Sequence, residues 1–141
     1  MNGTDRRPLV LAPDAGRAYR MGGISAVFKA DEGETAQRYS VSEWWLDPNT
    51  GGPGAHSHPE DDAFYVLEGT MQFLIDGAWI DCPRGSFVLA PGGATHDFRN
   101  AGEVRAGVLN ISAPGGFERH MPAIVAWFAD NPPGPAVETV P

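Results

Sequence analysis

Several features that would point at once to a function are scarce in this sequence of 141 residues. It contains one cysteine, Cys82, which excludes an internal disulfide and a cysteine-based zinc cluster. We expect this lone cysteine to be a small buried apolar residue rather than a nucleophile. No apolar run approaches the ~20 residues of a membrane-spanning helix, and the first residues lack the apolar core of a secretory signal. We therefore expect a cytoplasmic protein without a membrane partner.

Basic residues are scarce as well. Ten Lys and Arg residues stand against eighteen Asp and Glu residues, and the formal net charge is −8. Nucleic acids are bound through basic patches, so we expect no nucleic-acid partner. The length suits one domain with its own core. Because no repeat or linker interrupts it, we interpret the chain from residue 1 to 141 as a single domain.

What the sequence has in abundance is short apolar runs separated by turn residues. Glycine (18) and proline (13) are spread along the chain, and the runs between them are rich in Val, Ile, Phe, Tyr and Trp. This pattern predicts an all-β sandwich or barrel. The stretch YVLEGTMQFLIDGAWIDC predicts a meander of three strands. Its turns are expected at Gly69-Thr70 and at Asp76-Gly77, the second being a strong hairpin signal.

One segment, residues 121–130, has a helical pattern instead, with Pro122 in its first turn. Its apolar stripe is expected to pack on the outside of the barrel. That stripe consists of Ile124, Val125 and Phe128. Residues 132–141 are expected to form a loosely ordered tail.

Three histidines and an aspartate form the candidate metal site. His56 and His58 are two residues apart, so on an extended strand both side chains project to the same side. Asp62 has the same parity, and His96 follows a tight Pro-Gly-Gly turn that would start a new strand. Three imidazoles and one carboxylate suit one divalent ion of iron, nickel, manganese, copper or zinc. The H-x-H pair alone does not distinguish such a site from exposed loop histidines.

Two longer motifs carry a family resemblance. The stretch HSHPEDDAFYVLEG resembles the first cupin motif, with Asp62 at the usual Glu position and Gly69 six residues beyond it. The stretch GSFVLAPGGATHDFRN resembles the second motif without a gap. Its matching positions are Gly85, Pro91, Gly93, His96 and Asn100. The two motifs cover about residues 51–100, and on them the chain is identified as a small single-domain member of the cupin superfamily.

This resemblance implies a jelly-roll barrel, also called a double-stranded β-helix, that holds the metal inside near one end. It also implies a homodimer. The metal ligands would be His56, His58, Asp62 and His96, and the catalytic residues would be Asp62 and His96. His120 lies outside both motifs, where a surface or helix-capping role is expected.

Two positions depart from the family pattern. Thr50 stands where the first motif has a glycine, so the turn before His56 is expected to be reshaped. Asp62 is one methylene shorter than the usual Glu. It is therefore expected to bind at altered geometry, to hold a water, or to leave the metal to the three histidines.

The substrate pocket is expected to be apolar and lined by aromatic side chains. Inward residues are inferred from strand parity. The candidate pocket residues are Phe64, Val66, Met71, Phe73, Phe87 and Phe98, with Leu89 and Ile75 sharing their parity. Of the adjacent Trp44 and Trp45, one is expected to face inward and the other outward. The partner is thus expected to be a small apolar or aromatic molecule.

Three functions remain open from the sequence. The first is a dioxygenase that resembles quercetinase-like cupins and acts on a small enolic or phenolic compound, with a redox-active metal and Asp62 as possible base. The second is a zinc-dependent enzyme without redox chemistry, similar to cupin-type polyketide cyclases. The third is a non-catalytic module that binds a small molecule, since fold does not determine function.

Overall fold

Nine β-strands carry most of the regular structure in the computed structural model, which describes residues 6–137. The strands are β1 (Arg17–Met21), β2 (Ile24–Ala30), β3 (Ser40–Leu46), β4 (Asp61–Glu68), β5 (Thr70–Ile75), β6 (Ala78–Pro83), β7 (Phe87–Ala90), β8 (His96–Arg99) and β9 (Ala106–Ala113). They form a six-stranded sheet in the order β1-β2-β3-β9-β4-β7 and a three-stranded sheet in the order β6-β5-β8. All of these pairings are antiparallel. The predicted all-β architecture is confirmed.

Helices are few among the described residues. The C-terminal helix α2 (Met121–Asp130) has the predicted bounds, with proline in its first turn. A 3₁₀ turn (Phe117–His120) leads into it, and a one-turn helix α1 (Glu32–Thr35) connects β2 to β3. Helix α1 is not predicted from the sequence, although Asp31 and Glu34 form a capping box at its start. Across residues 6–137, no helix is both long and apolar enough to cross a membrane.

Strand β4 shows how the sequence places the site. Asp62, Phe64 and Val66 alternate with residues that are more exposed, and their three side chains are buried between the sheets. Phe64 packs against Phe73 of β5 and Phe98 of β8, with ring centroids 5.0 and 5.7 Å away. The same face of β4 therefore supplies one carboxylate for the site and two apolar side chains for the core.

The predicted three-strand meander is wrong in its first half. β5 and β6 do pair through the Asp76-Gly77 turn, where both residues have positive φ as a tight hairpin requires. β4, however, pairs with β7 and β9, whereas β5 pairs with β6 and β8. At Gly69 the chain crosses from one sheet to the other. Its φ is +67°, and a side chain there would meet the Arg105 carbonyl oxygen at 2.5 Å.

The predicted inward direction of Phe87 is also wrong. Phe87 is 64% exposed, and Leu89 of the same strand is exposed too. Strand β7 turns Val88 and Ala90 inward instead, because Ala90 is paired with the inward Asp62 and Val88 with the inward Phe64. The alternation along β7 is as predicted, but the pairing with β4 turns its smaller apolar residues toward the core and its larger ones outward.

The helix α2 lies outside both sheets and packs through its predicted apolar stripe. Phe128 of the stripe and Met121 are buried in the core cluster, and Ile124 and Val125 pack against that cluster. Ile124 and Phe128 line the same cavity as His56 and Asp62. The apolar stripe of α2 thus closes one side of the interior cavity.

The C-terminal tail is predicted to be loosely ordered, but hydrogen bonds hold its described residues 134–137 in place. Gly51 N–H donates to the Gly134 carbonyl at 2.8 Å, and Val137 N–H donates to the Asn49 side chain at 3.0 Å. The Arg99 guanidinium donates to the Ala136 carbonyl at 3.2 Å. These hydrogen bonds hold residues 134–137 against the loop after β3, while residues 138–141 lie outside the described residues.

Cys82 has the expected structural role. It is buried in the core cluster beside β5, and burial, followed by the charge of Asp81, raises the pKa of its thiol. A buried thiol with a raised pKa is a poor nucleophile near neutral pH.

Phe73→Ala is expected to lower the free energy of unfolding by about 3–5 kcal/mol, because Phe73 is fully buried and its loss leaves a cavity. Val104→Ala is the control. Val104 is an exposed loop residue, so we expect a change within about 0.5 kcal/mol. Urea unfolding of both variants measures the difference, and equal effects would contradict this description of the core.

Candidate metal centre

The backbone brings the histidine motifs together. His56 and His96 form an antiparallel bridge in which each N–H donates to the other's carbonyl, at 3.1 and 2.9 Å. A second bridge joins Thr50 to Asn100. The Asn100 side chain also donates to the carbonyls of Leu46, Asp47 and Val104. Two segments some forty residues apart in sequence are thereby held side by side.

Each of the three imidazole rings is oriented by a hydrogen bond to a backbone carbonyl. The Nδ1 atoms of His56, His58 and His96 lie 2.7, 3.1 and 2.9 Å from the carbonyl oxygens of Gly54, Glu60 and Ala94. A carbonyl can only accept, so each Nδ1 is the protonated nitrogen of its ring. Each neutral ring therefore presents the lone pair of Nε2. Histidines that bind metals are commonly oriented in this way.

The rings converge. One ligand atom from each of His56, His58 and His96 lies within 4.8 Å of those of the other two. The closest pair of rings, His56 and His96, has centroids 4.5 Å apart. His96 is buried, and the other two histidines are half-buried. The three predicted histidines thus form one compact group.

Asp62 contacts two of the three histidines. Its Oδ2 lies 2.9 Å from His58 Nε2 and 3.1 Å from His96 Nε2. Asp62 is not part of the compact group of three histidines, but its Oδ2 lies within hydrogen-bond distance of two of its members.

Strand β9 holds the other oxygen of this carboxylate. Ser112 Oγ and Asn110 Nδ2 both donate to Asp62 Oδ1, the Asn110 contact being 3.1 Å long. Burial by itself raises the pKa of Asp62. The hydrogen bonds from His96, Ser112 and Asn110 outweigh burial, so the pKa lies below its ordinary value. Asp62 is therefore a fixed anion and a weak base.

His96 is shifted in the opposite direction. The hydrogen bond to Asp62 raises the pKa of His96, and this effect outweighs burial, which lowers it. The two shifts have the same origin, because the ionised carboxylate and the protonated imidazole stabilise each other.

The donor set fits a cation. With Nδ1 protonated, the Nε2 atoms of His58 and His96 present lone pairs toward the carboxylate oxygen of Asp62, which can also only accept. Two acceptors at 2.9–3.1 Å repel each other unless a proton or a metal ion lies between them. Imidazole nitrogen and carboxylate oxygen together suit the divalent transition metals.

The cavity beside this group is small. A chamber of about 60 Å³ is bounded by His56, His58 and Asp62 on one side. Its remaining lining residues are Trp44, Pro53, Phe64, Phe98, Asn110, Ser112, Phe117, Ile124 and Phe128. Of the predicted pocket residues, Phe64 and Phe98 line this chamber. Val66, Met71 and Phe73 are fully buried core residues outside its lining.

A second, more polar space adjoins the chamber. This vestibule has a volume of about 270 Å³ and shares His58, Ser112 and Phe117 with the chamber. Glu60, Arg119 and His120 also line it. The two roles expected for His120 are a surface role and a helix-capping role. Its side chain makes no capping hydrogen bond to α2, and it is exposed, so the surface role applies. His120 lies at the vestibule.

Several site residues were missed from the sequence. Asn110 and Ser112 alternate along β9 with apolar Leu109 and Ile111, a pattern that suggests the polar residues face outward. They face inward here and hold Asp62. Trp44 is the inward tryptophan, with its Nε1 donating to Ser42 Oγ at 3.0 Å.

The Asp62–His96 contact predicts a pH window for the stability of the metal-free protein. The contribution of Asp62, whose pKa is lowered, is fully present above its ordinary pKa of 3.8 and is lost as the pH falls through the lowered value. The contribution of His96, whose pKa is raised, is fully present below 6.5 and is lost as the pH rises through the higher value. The stability advantage over Asp62→Asn should therefore be largest between pH 3.8 and 6.5.

Denaturant unfolding of the metal-free proteins across pH measures this advantage. Asp61→Asn is the control, because Asp61 is exposed and its Oδ1 accepts from Gly92 N–H at 2.7 Å instead of contacting a histidine. An advantage over Asp62→Asn that keeps growing above pH 6.5 would refute the pairing.

Comparison with known proteins assigns the family. The family described as "Cupin domain" matches residues 42–112, about half of the chain. Among solved structures, the polyketide cyclase RemF from Streptomyces resistomycificus is 22% identical, with a TM-score of 0.66 over 76% of this chain and 80% of that one. A predicted oxalate decarboxylase from Thermotoga maritima is 16% identical, with a TM-score of 0.69 over 75% and 99%.

An RmlC-like cupin from Shewanella frigidimarina is 15% identical, with a TM-score of 0.68 over 81% of this chain and 97% of that one. A search of curated proteins found no match. At these identities the solved structures show the fold alone. Together with the two antiparallel sheets, the family match shows that the chain belongs to the cupin superfamily.

Proposed function

We propose that the protein is a mononuclear metal-dependent enzyme that acts on a small enolic or phenolic compound. The observation that carries this proposal is the convergence of three imidazole rings beside a small chamber, with the Oδ2 of Asp62 next to the Nε2 atoms of His58 and His96. Such a donor set is costly to bury without a cation. The preferred reaction is a dioxygenation.

In this proposal His56, His58 and His96 hold the ion, and Asp62 is the fourth ligand. A redox-active ion would hold substrate and oxygen side by side, whereas zinc would act as a Lewis acid. The lowered pKa of Asp62 favours a ligand over a general base, because an efficient base has a pKa near the working pH. Asn110 and Ser112 keep the carboxylate oriented.

The size of the cavity restricts the substrate. Pockets for small molecules commonly measure about 300–1,000 Å³, and the chamber is much smaller. Only a small, largely apolar part of a substrate would fit between Trp44 and Phe128. The remainder would lie in the vestibule, beside Glu60 and His120. A three-ring flavonol would have to keep most of its rings in the vestibule.

A second candidate is a reaction without oxygen, such as cyclisation of a polyketone on a zinc ion. The vestibule favours it by placing Glu60 and His120 near His58, since such groups can move protons to and from an enol. The structurally similar cyclase RemF is compatible with this candidate. A binding protein without catalysis is the remaining alternative.

Metal content separates these candidates. Untagged protein should contain close to one divalent transition-metal ion per chain, measured by plasma mass spectrometry. His96→Ala should lose most of it, because one of three histidine ligands is removed. His120→Ala is the matched control and should retain the metal, since His120 lies outside the histidine group.

Iron, nickel, manganese or copper would support the dioxygenase, which should then consume oxygen with small enols and phenols. Zinc would move the proposal to the reaction without oxygen. A wild-type protein that holds no metal after incubation with each of these ions would refute both enzyme functions.

The role of Asp62 can be tested with cobalt(II), whose visible absorption reports the coordination number. Asp62→Ala should change the shape of the spectrum and weaken cobalt binding, because a ligand is lost. Ser112→Ala is the control. It removes a hydrogen bond to the carboxylate, so the spectrum should keep its shape while the affinity falls by about 10-fold. A wild-type spectrum for Asp62→Ala would show that the three histidines suffice.

A further inference from the structure

Three residues line both the chamber and the vestibule, so they lie at the boundary between these two spaces. They are His58, Ser112 and Phe117. His58 is a candidate metal ligand, and Ser112 donates a hydrogen bond to the carboxylate of Asp62. Phe117 has neither role, and it adds a half-buried apolar side chain to this boundary.

The ring of Phe117 packs against two aromatic side chains of the core. It stacks on Phe28, with ring centroids 6.3 Å apart and an angle of 10° between the planes. It also meets the ring of Trp44 edge to face, with centroids 6.5 Å apart. Both arrangements are favourable for aromatic pairs. The ring is therefore held in one position beside the chamber.

A buried carboxylate fixes the backbone on both sides of Phe117. The Oδ1 of Asp31 accepts from Gly116 N–H at 2.6 Å, and its Oδ2 accepts from Glu118 N–H at 2.7 Å. Hydrogen bonds to a charged acceptor are about twice as strong as neutral ones. Asp31 is 2% exposed and lines neither space. Its influence on the boundary therefore passes through the backbone that carries Phe117.

Further hydrogen bonds hold the same 3₁₀ turn from outside the cavity. Glu118 Oε2 accepts from the Tyr19 hydroxyl at 2.7 Å and from Arg17 Nε at 2.7 Å. Just before the turn, Gly115 N–H donates to the Gln37 carbonyl at 2.9 Å. These contacts tie the turn to β1 and to the segment that follows α1.

We propose that Phe117 is a specificity-determining residue, which limits the size of the substrate group that can extend from the vestibule into the chamber. Asp31 is the positioning residue that holds Phe117 there. This inference rests on the proposed function, in which a substrate occupies both spaces at once. The substrate class that fits is a phenol or enol whose reacting end is a single small ring or an open chain, and not a fused ring system.

The packing explains why this boundary selects by size. The ring of Phe117 cannot move toward Phe28 or Trp44, because both belong to the buried core. Its backbone cannot move away, because the amides on both sides are bonded to Asp31. A substrate group that is too large therefore meets a fixed obstacle. Apolar sites of this kind discriminate by about 10–200-fold between groups that differ by one methylene.

Two diols with the same metal-binding group test this inference. Catechol has one ring, whereas naphthalene-2,3-diol carries a second, fused ring that needs more room. Each diol is titrated without oxygen into the cobalt(II)-loaded protein, and the visible absorption gives its dissociation constant. Phe117→Ala should shift the ratio of the two constants in favour of naphthalene-2,3-diol by at least about 10-fold. Phe117→Leu should shift it in the same direction by less, because it keeps more of the side chain.

Val125→Ala is the matched control. Val125 is half-buried and packs against the same core cluster as Phe117, but it lines neither space, so the ratio should stay at the wild-type value. Equal cobalt content in every variant would show that each is folded. A wild-type ratio in both Phe117 variants, or an equal shift in Val125→Ala, would overturn the role of Phe117.

The positioning role of Asp31 has its own test. Asp31→Ala should shift the ratio in the same direction as Phe117→Ala, although Asp31 touches neither space. Asp31→Asn should shift it less, because it keeps one acceptor oxygen for the two amides. A residue that only supports the fold would lower the free energy of unfolding and leave the ratio unchanged. That result in Asp31→Ala would remove Asp31 from the proposal.

The same titrations distinguish failure of this inference from failure of the proposed function. Binding of both diols with a ratio that no Phe117 variant changes would refute the inference and leave the metal-dependent function standing. If neither diol alters the cobalt spectrum of the wild type or of Phe117→Ala, the centre does not bind phenols. The proposed function would then be refuted, and this inference with it.

Discussion

Two backbone hydrogen bonds between His56 and His96 are the contacts on which the site depends most. They join the loop before β4 to the start of β8, and these two strands belong to different sheets. Once the backbones are paired, the neighbouring carbonyls of Gly54 and Ala94 orient both rings. Main-chain hydrogen bonds therefore set the orientation of two of the three rings.

Several side chains buried near the histidine group are polar, in positions where apolar side chains would otherwise pack. Ser40, Ser42, Asn110 and Ser112 are buried on β3 and β9, where a purely structural barrel would carry apolar residues. No buried side-chain nitrogen or oxygen in the described part of the chain lacks a hydrogen-bond partner, so the arrangement is satisfied. The apolar residues that alternate with them, Val41, Leu109 and Ile111, consequently face outward. The polar interior and the apolar outer face of these strands are two results of one alternation.

Much of the site could be predicted from the sequence, because parity along one strand and the motif spacing are local. His56, His58 and His96 come together as expected, and Asp62 contacts two of them. The predictions are wrong where the direction of a side chain or of the chain depends on pairing with another strand. Whether Phe87 or Val88 faces inward is decided by the pairing of β7 with β4. The crossing at Gly69 depends on the strands that pair with β4 and β5, which are distant in sequence except for β6. The contribution of α2 to the cavity likewise depends on tertiary contacts, which the helical periodicity of the sequence does not predict.

Because α2 forms part of the chamber wall, the lining of the chamber and the histidine group belong to different parts of the fold. The candidate metal ligands lie on or next to strands β4 and β8, whereas Ile124 and Phe128, which also line the chamber, belong to a helix outside both sheets. Substitutions in this helix alter the shape of the chamber without disturbing a strand pairing or a histidine. The lining of the chamber can thus change while the histidine group and Asp62 stay the same.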